Sequence, residues 1–488
     1  MALPNPLDMF PPSERARVQH TSVAHALLTE SKEADDYVVE HFQTIVDAPD
    51  LATMAAPDTS RNPAIAIAHH VSTPGHYGVQ PRIFGPDADR TTPLLEQLWP
   101  MKQHVEFLAW GLGSAFVRTD WSEDLDRVVH TIVLPQHVWT IGHRHDPRLA
   151  VVVRQLTVQR VKLPGQAEED RYAWEEFDVR DPSIPSYRLV EARRNGELGD
   201  DWTERVLGIA PTGDAYPYRY DDGTPFIPFD VHRSRDTGTM FSWELRKGLF
   251  RGVLNTMFIA TCALSAAYGA TGKSHILSGL TIPGVKTTRD GAGNTIARLP
   301  LRPGEAVFGT HEAGVSPFGY SMDAGDNLSA LAAFEQQYAS WLALDTGVTP
   351  TDATRVGANP MSGTALHMTN AMKREMQREM QPLARAADMG TIRKSIALWN
   401  AKRDATAPAI DAASISIQYT EIAKSPDEER QHREALQWRV ENGMMSPIDM
   451  YLELNPGMTR EAAAVELRRI ATETQETKVS AVAAPAAQ

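Results

Sequence analysis

Residues 242–268, SWELRKGLFRGVLNTMFIATCALSAAY, decide how the rest of the chain is read. Leu245, Leu249, Val253 and Met257 recur every four residues, a helical period that predicts a helix over Ser242–Tyr268. Such a helix would be roughly 40 Å long. From Gly252 to Gly272 there is no charged residue, yet Asn255, Thr256, Thr261, Ser265 and three glycines interrupt the run and alanine is its commonest residue. A lipid-facing helix would be richer in Leu, Ile and Val. The stretch therefore reads as a helix packed on all sides by protein, with small residues that let a neighbour come close.

Working outward, the preceding part has a different period. Thr21 to about Ala48 predicts one helix, with Val23, Leu27 and Leu28 on one side. Between about Ala64 and Asp230 the chain is Pro-punctuated. Val128–Leu134, His137–Ile141, Leu149–Val161 and Tyr172–Val179 predict half-exposed antiparallel strands. One helix, Pro93–Trp110, interrupts them, and Arg188–Arg205 reads as an exposed charged stretch. Phe226-Ile227-Pro228-Phe229 ends the β-rich block.

After the long helix, Ser274–Phe318 is rich in Gly and Pro. It carries β-type pieces at Ser274–Leu280 and Thr295–Leu301 and a hairpin signal at Asp290-Gly291. A second helix is predicted from Asn327 to Leu344, with Leu331, Phe334, Tyr338 and Leu342 as its stripe. A loop, Thr349–Ser362, leads into a very long helix, Gly363–Lys402, which Pro382 can bend. Near the C-terminus, Ser425-Pro426-Asp427-Glu428 and Ser446-Pro447-Ile448-Asp449 each combine a capping serine with proline at the first helical position. With Asn442-Gly443 and Asn455-Pro456-Gly457 as stops, they predict three helices over Pro426–Glu473, the last ending near Thr472, and an Ala/Pro tail from Val479 that stays disordered. The whole is an α+β chain.

Composition narrows the function. The formal charge is −14, which does not suit a protein that grips phosphates tightly. A single cysteine, Cys262, excludes an intrachain disulfide and Cys-rich zinc sites and fits a reducing cytoplasm. Met1–Pro12 lacks the basic start and apolar run of a signal peptide. Gly269-Ala270-Thr271-Gly272-Lys273-Ser274 ends like a phosphate loop, but Ala267 stands where the pattern needs its first glycine. The helix also comes before it and the β-type segment after, the reverse of what phosphate binding needs. His143-Arg144-His145-Asp146, with His137 nearby, offers metal-ligand residue types, but Asp146-Pro147 makes a solvated turn the better reading. Met368, Met372, Met376 and Met380 lie on one line of the long helix, a pattern of core or subunit interface more than of a soft-metal site. No nucleophile elbow, carboxylate pair or His-centred triad stands out.

The order of these elements resembles the portal proteins of tailed bacteriophages over about Thr21–Glu473. Two local matches add to it. Ser362-Gly363-Thr364-Ala365-Leu366-His367-Met368 is similar to the opening of that family's long helix. Ile415–Tyr419 followed by Asn442-Gly443-Met444-Met445-Ser446-Pro447 is similar to its strand and helix junction. The resemblance implies a portal fold: a β-rich wing over 1–241, stem helices over 242–273 and 319–348, and a small α/β clip over 274–318. A tunnel loop over 349–362, a spine helix and strand over 363–424, a helical crown over 425–475 and a disordered tail over 476–488 complete it. It further implies a twelve-fold ring at one capsid vertex of the virion, assembled in the host cytoplasm, through which double-stranded DNA is packaged and ejected with transient, non-specific contacts. Thr351, Asp352, Thr354, Arg355 and Asn359 would face that DNA. Ser274, Lys286, Arg289, Arg298 and Arg302 of the clip would dock the terminase large subunit and later the head-completion or adaptor proteins, and the ring would meet the major capsid and scaffold proteins. No catalytic residue, cofactor, metal or membrane is implied. Three other readings stand beside it: another phage head–tail structural protein, a nucleotide-binding enzyme using Gly269–Ser274, and a membrane-embedded protein using Gly252–Gly272.

Overall fold

The computed structural model describes residues 6–46, 62–68, 81–161, 169–194, 202–206, 215–271, 274–278, 280–281, 287–289, 295–297, 310–311, 318–322, 328–346, 363–403, 407–419, 426–455 and 460–483. Helix and antiparallel sheet occupy separate stretches, an α+β architecture. The first surprise is near the start. Thr21–Ala48 is not one helix: α1 (Pro12–Thr29) stops at Glu30, whose φ of 48° is left-handed, and Ser31 opens α2 (Lys32–Gln43). The turn closes by hydrogen bonds from the Glu30 and Ser31 amides to the Ala26 carbonyl, the device that normally uses glycine.

Two sheets follow. β2 (Ser114–Ser122) is central in a three-stranded sheet, flanked by β3 (Arg127–Val133) and β9 (Phe229–Arg233). The other is a five-stranded meander of β4 (Val138–Gly142), β5 (Ala150–Val161), β6 (Glu169–Asp178), β7 (Ser186–Arg194) and β8 (Trp202–Val206). The meander is covered on both faces at its centre. Leu156, Trp174 and Val190, partners across three strands, pack on Met9, Phe10 and Val18. Val153 and Phe177 face the other way, toward Phe116, Tyr218, Phe229 and Leu398. Half-exposure survives at the polar positions between them, such as Arg154 and Gln155, and at Val158, which is exposed. The charged stretch Arg188–Arg205 supplies most of β7 and all of β8, and of its described side chains Arg188 and Leu189 are half-buried and Val190 is buried. Its charge is matched in register, since Glu176, itself buried, is bridged by Arg154 and Arg188 from the two adjoining strands.

A helical layer backs the sheets. The predicted helix at Pro93–Trp110 is α3 (Leu98–Leu112), preceded by short helical turns. It packs with α1, α2, α4 (Lys247–Thr271) and α6 (Gly363–Lys402) around Leu27, Phe42, Leu108, Phe250, Met257 and Ile396. The α6 ends coincide with the predicted ones, and Pro382 lies within it. β16 (Ser416–Gln418) pairs with β1 (Arg82–Phe84) and seals this layer.

Between α4 and α5 (Leu328–Asp345) the described residues form nested antiparallel pairs. β10 (Ser274–Ser278) pairs with β15 (Phe318–Met322), β11 (Leu280–Thr281) with β14 (Thr310–His311), and β12 (Thr287–Arg289) with β13 (Thr295–Ala297). The hairpin expected at Asp290-Gly291 is flanked by that last pair. No helix occurs among the described residues of 274–318, so the α part expected of the clip is not seen there. At the C-terminus, α7 (Pro426–Glu441) and α8 (Pro447–Leu454) start at the predicted prolines. Ser446 caps α8 by accepting from the Asp449 amide. α9 (Arg460–Ala483) runs beyond Thr472 and takes in residues 476–483, which the sequence reading left to a disordered tail.

Candidate assembly surface and channel segments

The α4/α5 hairpin is the most distinctive part of the chain. α4 carries no charge from Gly252 to Thr271 and packs through Leu249, Phe250, Val253, Met257 and Ala260. Gly252 makes close approach to α5 possible: a Cβ there would stand 2.3 Å from the Leu342 Cδ2. Thr256 and Thr261 return their hydroxyls to the carbonyls of Gly252 and Met257, so they bring no unsatisfied group to the face. One polar thread ties three helices together. The Asn255 Oδ1 accepts from His41 Nε2 at 3.0 Å, and the Asn255 amide nitrogen donates to the Tyr338 hydroxyl at 3.2 Å.

The outer side of α5 is bare. Its charged residues are Glu335 and Asp345, and among its described side chains Ala343 is the buried one. Phe334 is 44% exposed and Trp341 48%. The expectation that Gly252–Gly272 is packed on all sides holds on one face of α4, through Val253, Met257 and Ala260, while Leu254, Asn255, Phe258 and Ile259 are half-buried. By length and composition, the Trp243–Ala267 helix could also cross a membrane, although 44% of its apolar window is already buried in protein.

Of the residues singled out in the sequence, Ser274 opens β10 opposite Met322, and Arg289 ends β12 opposite Thr295. Lys286, Arg298 and Arg302 lie outside the described residues, as does all of Thr349–Ser362 with Thr351, Asp352, Thr354, Arg355 and Asn359. In the phosphate-loop-like segment the helix ends at Thr271 and a strand begins at Ser274, the order that does not cradle a phosphate. His143 and His145 are exposed, with rings 5.6 Å apart. Among the described residues no group of three or more His, Cys, Asp or Glu could hold a metal ion.

Sequence reasoning missed a buried ionic cluster where α6 crosses the sheets. Lys102 of α3, fully buried, donates to Asp388 Oδ1 at 2.7 Å and stands 3.1 Å from His232 Nδ1 and 3.3 Å from Glu106 Oε1. The Tyr419 hydroxyl donates to the other Asp388 oxygen. One turn on, Lys394 donates to Asp230 at 2.8 Å and to the Phe229 carbonyl at 2.6 Å, and Thr391 donates to Asp230 at 3.2 Å. His130 meets Ser395 at 2.9 Å. Burial works against the Lys102 charge, but Asp388 and Glu106 outweigh it and hold its pKa above the ordinary lysine value. Burial pushes the Glu106 carboxyl up to about 7 against the pull of Lys102. Burial, followed by the fields of Lys102 and Lys394, keeps His232 neutral far below its usual pKa.

Beside this cluster lies a cavity of about 770 Å³, lined by Val151, Val153, Phe226, Phe229, Met240 and Leu383 among others. Its cations Arg148, Arg233 and Lys394 are already engaged by Asp146, the Met240 carbonyl and Asp230. Comparison of the chain with protein-family models gives no match, and comparison with curated proteins gives none either.

Proposed function

We propose that this chain is the portal subunit of a tailed bacteriophage, which closes into a ring through which the genome enters and leaves the capsid. One observation carries the proposal: a sparsely charged helical hairpin, α4/α5, with no charge on α4 after Arg251 and a second helix that leaves Phe334 and Trp341 half uncovered. Apolar helix faces of this kind are covered by partners, and a copy of the same hairpin is the partner a ring supplies. The order of elements supports the same reading: β-rich block, long helix, strand insertion, returning helix, 40-residue helix, strand and helical end. On this reading the nested strands between α4 and α5 dock the terminase and head-completion proteins, and Thr349–Ser362 faces DNA. The acidic balance suits a wall on which phosphates do not stick. No catalysis belongs to the chain in this scheme.

Negative-stain images together with native mass spectrometry test it. The expected result is a large closed ring with a central hole. A 53.9 kDa monomer that stays monomeric as concentration is raised would refute it. The apolar length of Trp243–Ala267 motivates one competing reading, a membrane protein. Purification of the full chain without detergent removes that reading.

A further inference from the structure

We propose that the seat of α6 on the sheets is a proton-held lock: below neutral pH Glu106 keeps its proton while the helix is docked, and its ionisation loosens the dock. Lys102, Glu106, Asp388 and His232 are each at most 4% exposed. Lys102 is matched by Asp388 and Lys394 by Asp230. Lys102 reaches the Nδ1 of His232, so that nitrogen is the acceptor and the ring is neutral with its proton on Nε2. The two lysines and two aspartates balance, and Glu106 is left over.

Its surroundings do not favour a fifth charge. Neither Glu106 oxygen accepts a well-formed hydrogen bond from the described residues. The nearest cation, Lys102, lies 3.3 Å from Oε1 but is already directed at Asp388 and His232. From α6 the group facing it is Asp388 and from the segment after β16 it is Tyr419, while His232 of β9 meets the same Lys102 ammonium. Asp230 and Lys394 stand one shell further out, and Arg385 acts on Tyr419. Asp388 raises the cost of a second anion, and Tyr419 already donates its proton to Asp388. An ionised carboxylate here is both desolvated and repelled, so the group holds its proton instead.

The consequence is local to α6, because Asp388, Thr391, Lys394 and Ser395 all lie on its buried face. An opening that wets the cluster lets Glu106 ionise at its ordinary pKa near 4.5, whereas the closed form holds the proton to about 7. Opening therefore becomes easier as pH rises, by about 40-fold between pH 5 and pH 7 from this group alone. His232 acts in the opposite sense, because an opened imidazole gains a proton in acid. The comparison that isolates Glu106 is thus the full-length protein against Glu106→Gln at each pH.

Amide hydrogen exchange over residues 387–398, corrected for intrinsic rates, reads the opening. The ratio of opening constants, wild type over variant, should climb by tens of fold from pH 5 to pH 7 and then level off. Infrared difference spectra of the two proteins at pH 6 read the proton directly: the wild type should show a protonated-carboxyl band that the variant lacks. A ratio that stays constant with pH, or wild-type spectra with no such band, overturns the proposal.

Discussion

Replacing Lys102 by methionine probes the dock of α6 with little change in side-chain volume. The ammonium is fully buried and 2.7 Å from Asp388, which is itself fully buried. Removing it leaves Asp388 with the Tyr419 hydroxyl as its remaining hydrogen-bond donor in the cluster. Breaking one side of such a pair costs about 3–5 kcal/mol, because an uncompensated charge remains in a dry site. In a cooperative unit of ordinary size each kcal/mol moves the midpoint by ~2–4 °C, so thermal unfolding followed by circular dichroism should fall by at least ~6 °C. Lys402 and Glu123 provide the contrast, since their pair is exposed and Lys402→Ala should cost under about 1 kcal/mol. Adding Asp388→Asn to Lys102→Met should recover a good part of the loss, since the neutral amide can still accept from Tyr419. If Lys102→Met is no worse than Lys402→Ala, or the second substitution deepens the loss, the cluster does not hold the helix in the way argued.

Other outcomes follow from the same contacts. On α5, Phe334→Asp and Trp341→Asp should leave the subunit folded, because both side chains already meet solvent, but each removes roughly 2–3 kcal/mol of apolar contact between copies. On the portal reading, sedimentation should therefore show assembly weakened at least ~30-fold for either single variant and by several hundred-fold or more, on the order of 1,000-fold, for the double variant, and unaffected rings would mean another face makes the contact. In acid, burial holds His130 neutral down to about 4, whereas an unfolded histidine takes up its proton near 6.5. Its contribution is present above pH 6.5 and is lost as pH falls toward 4, by about 3 kcal/mol in all. His130→Gln should flatten the acid limb of a stability-against-pH curve, and an unchanged limb would locate the effect elsewhere. On the portal reading, Arg355→Glu should spare ring assembly and impair DNA packaging or retention. Normal genome content and infectivity would remove Arg355 from the mechanism.

Much of the helical frame could be read from the sequence because its signals are local. The start of α6, after Ser362, and the starts of α7 and α8 were set by Ser, Pro and Gly punctuation. The break at Glu30 was hidden because a non-glycine residue takes the left-handed turn, leaving only Ser31 as a cue. β7 and β8 were hidden because their arginines looked like a solvated run, whereas Arg188 is answered by Glu176 on the next strand. The ionic cluster left no pattern at all. Lys102 and Glu106, four apart on one helix, look like a surface pair, and their partners His232, Asp388 and Tyr419 arrive from far along the chain. Pairings of that separation are created by folding, so no window of sequence contains them.

The 40 residues of α6 form a rod about 60 Å long, yet its buried described residues fall between Ala387 and Leu398. The clamp sits near one end, and about 36 Å of helix separate Gly363 from Ala387. Of that length, the described side chains from Arg378 to Ala386 include no buried one. A tilt of about 5° at the clamp would carry the far tip through roughly 3 Å, close to the diameter of an atom. Pro382, which lacks an amide hydrogen to give to the helix ladder, lies within five residues of the clamp and is the natural elbow. A change of angle at the sheets would in this way be read out as a displacement at Gly363, next in the chain to Thr349–Ser362, for as long as the helix stays straight.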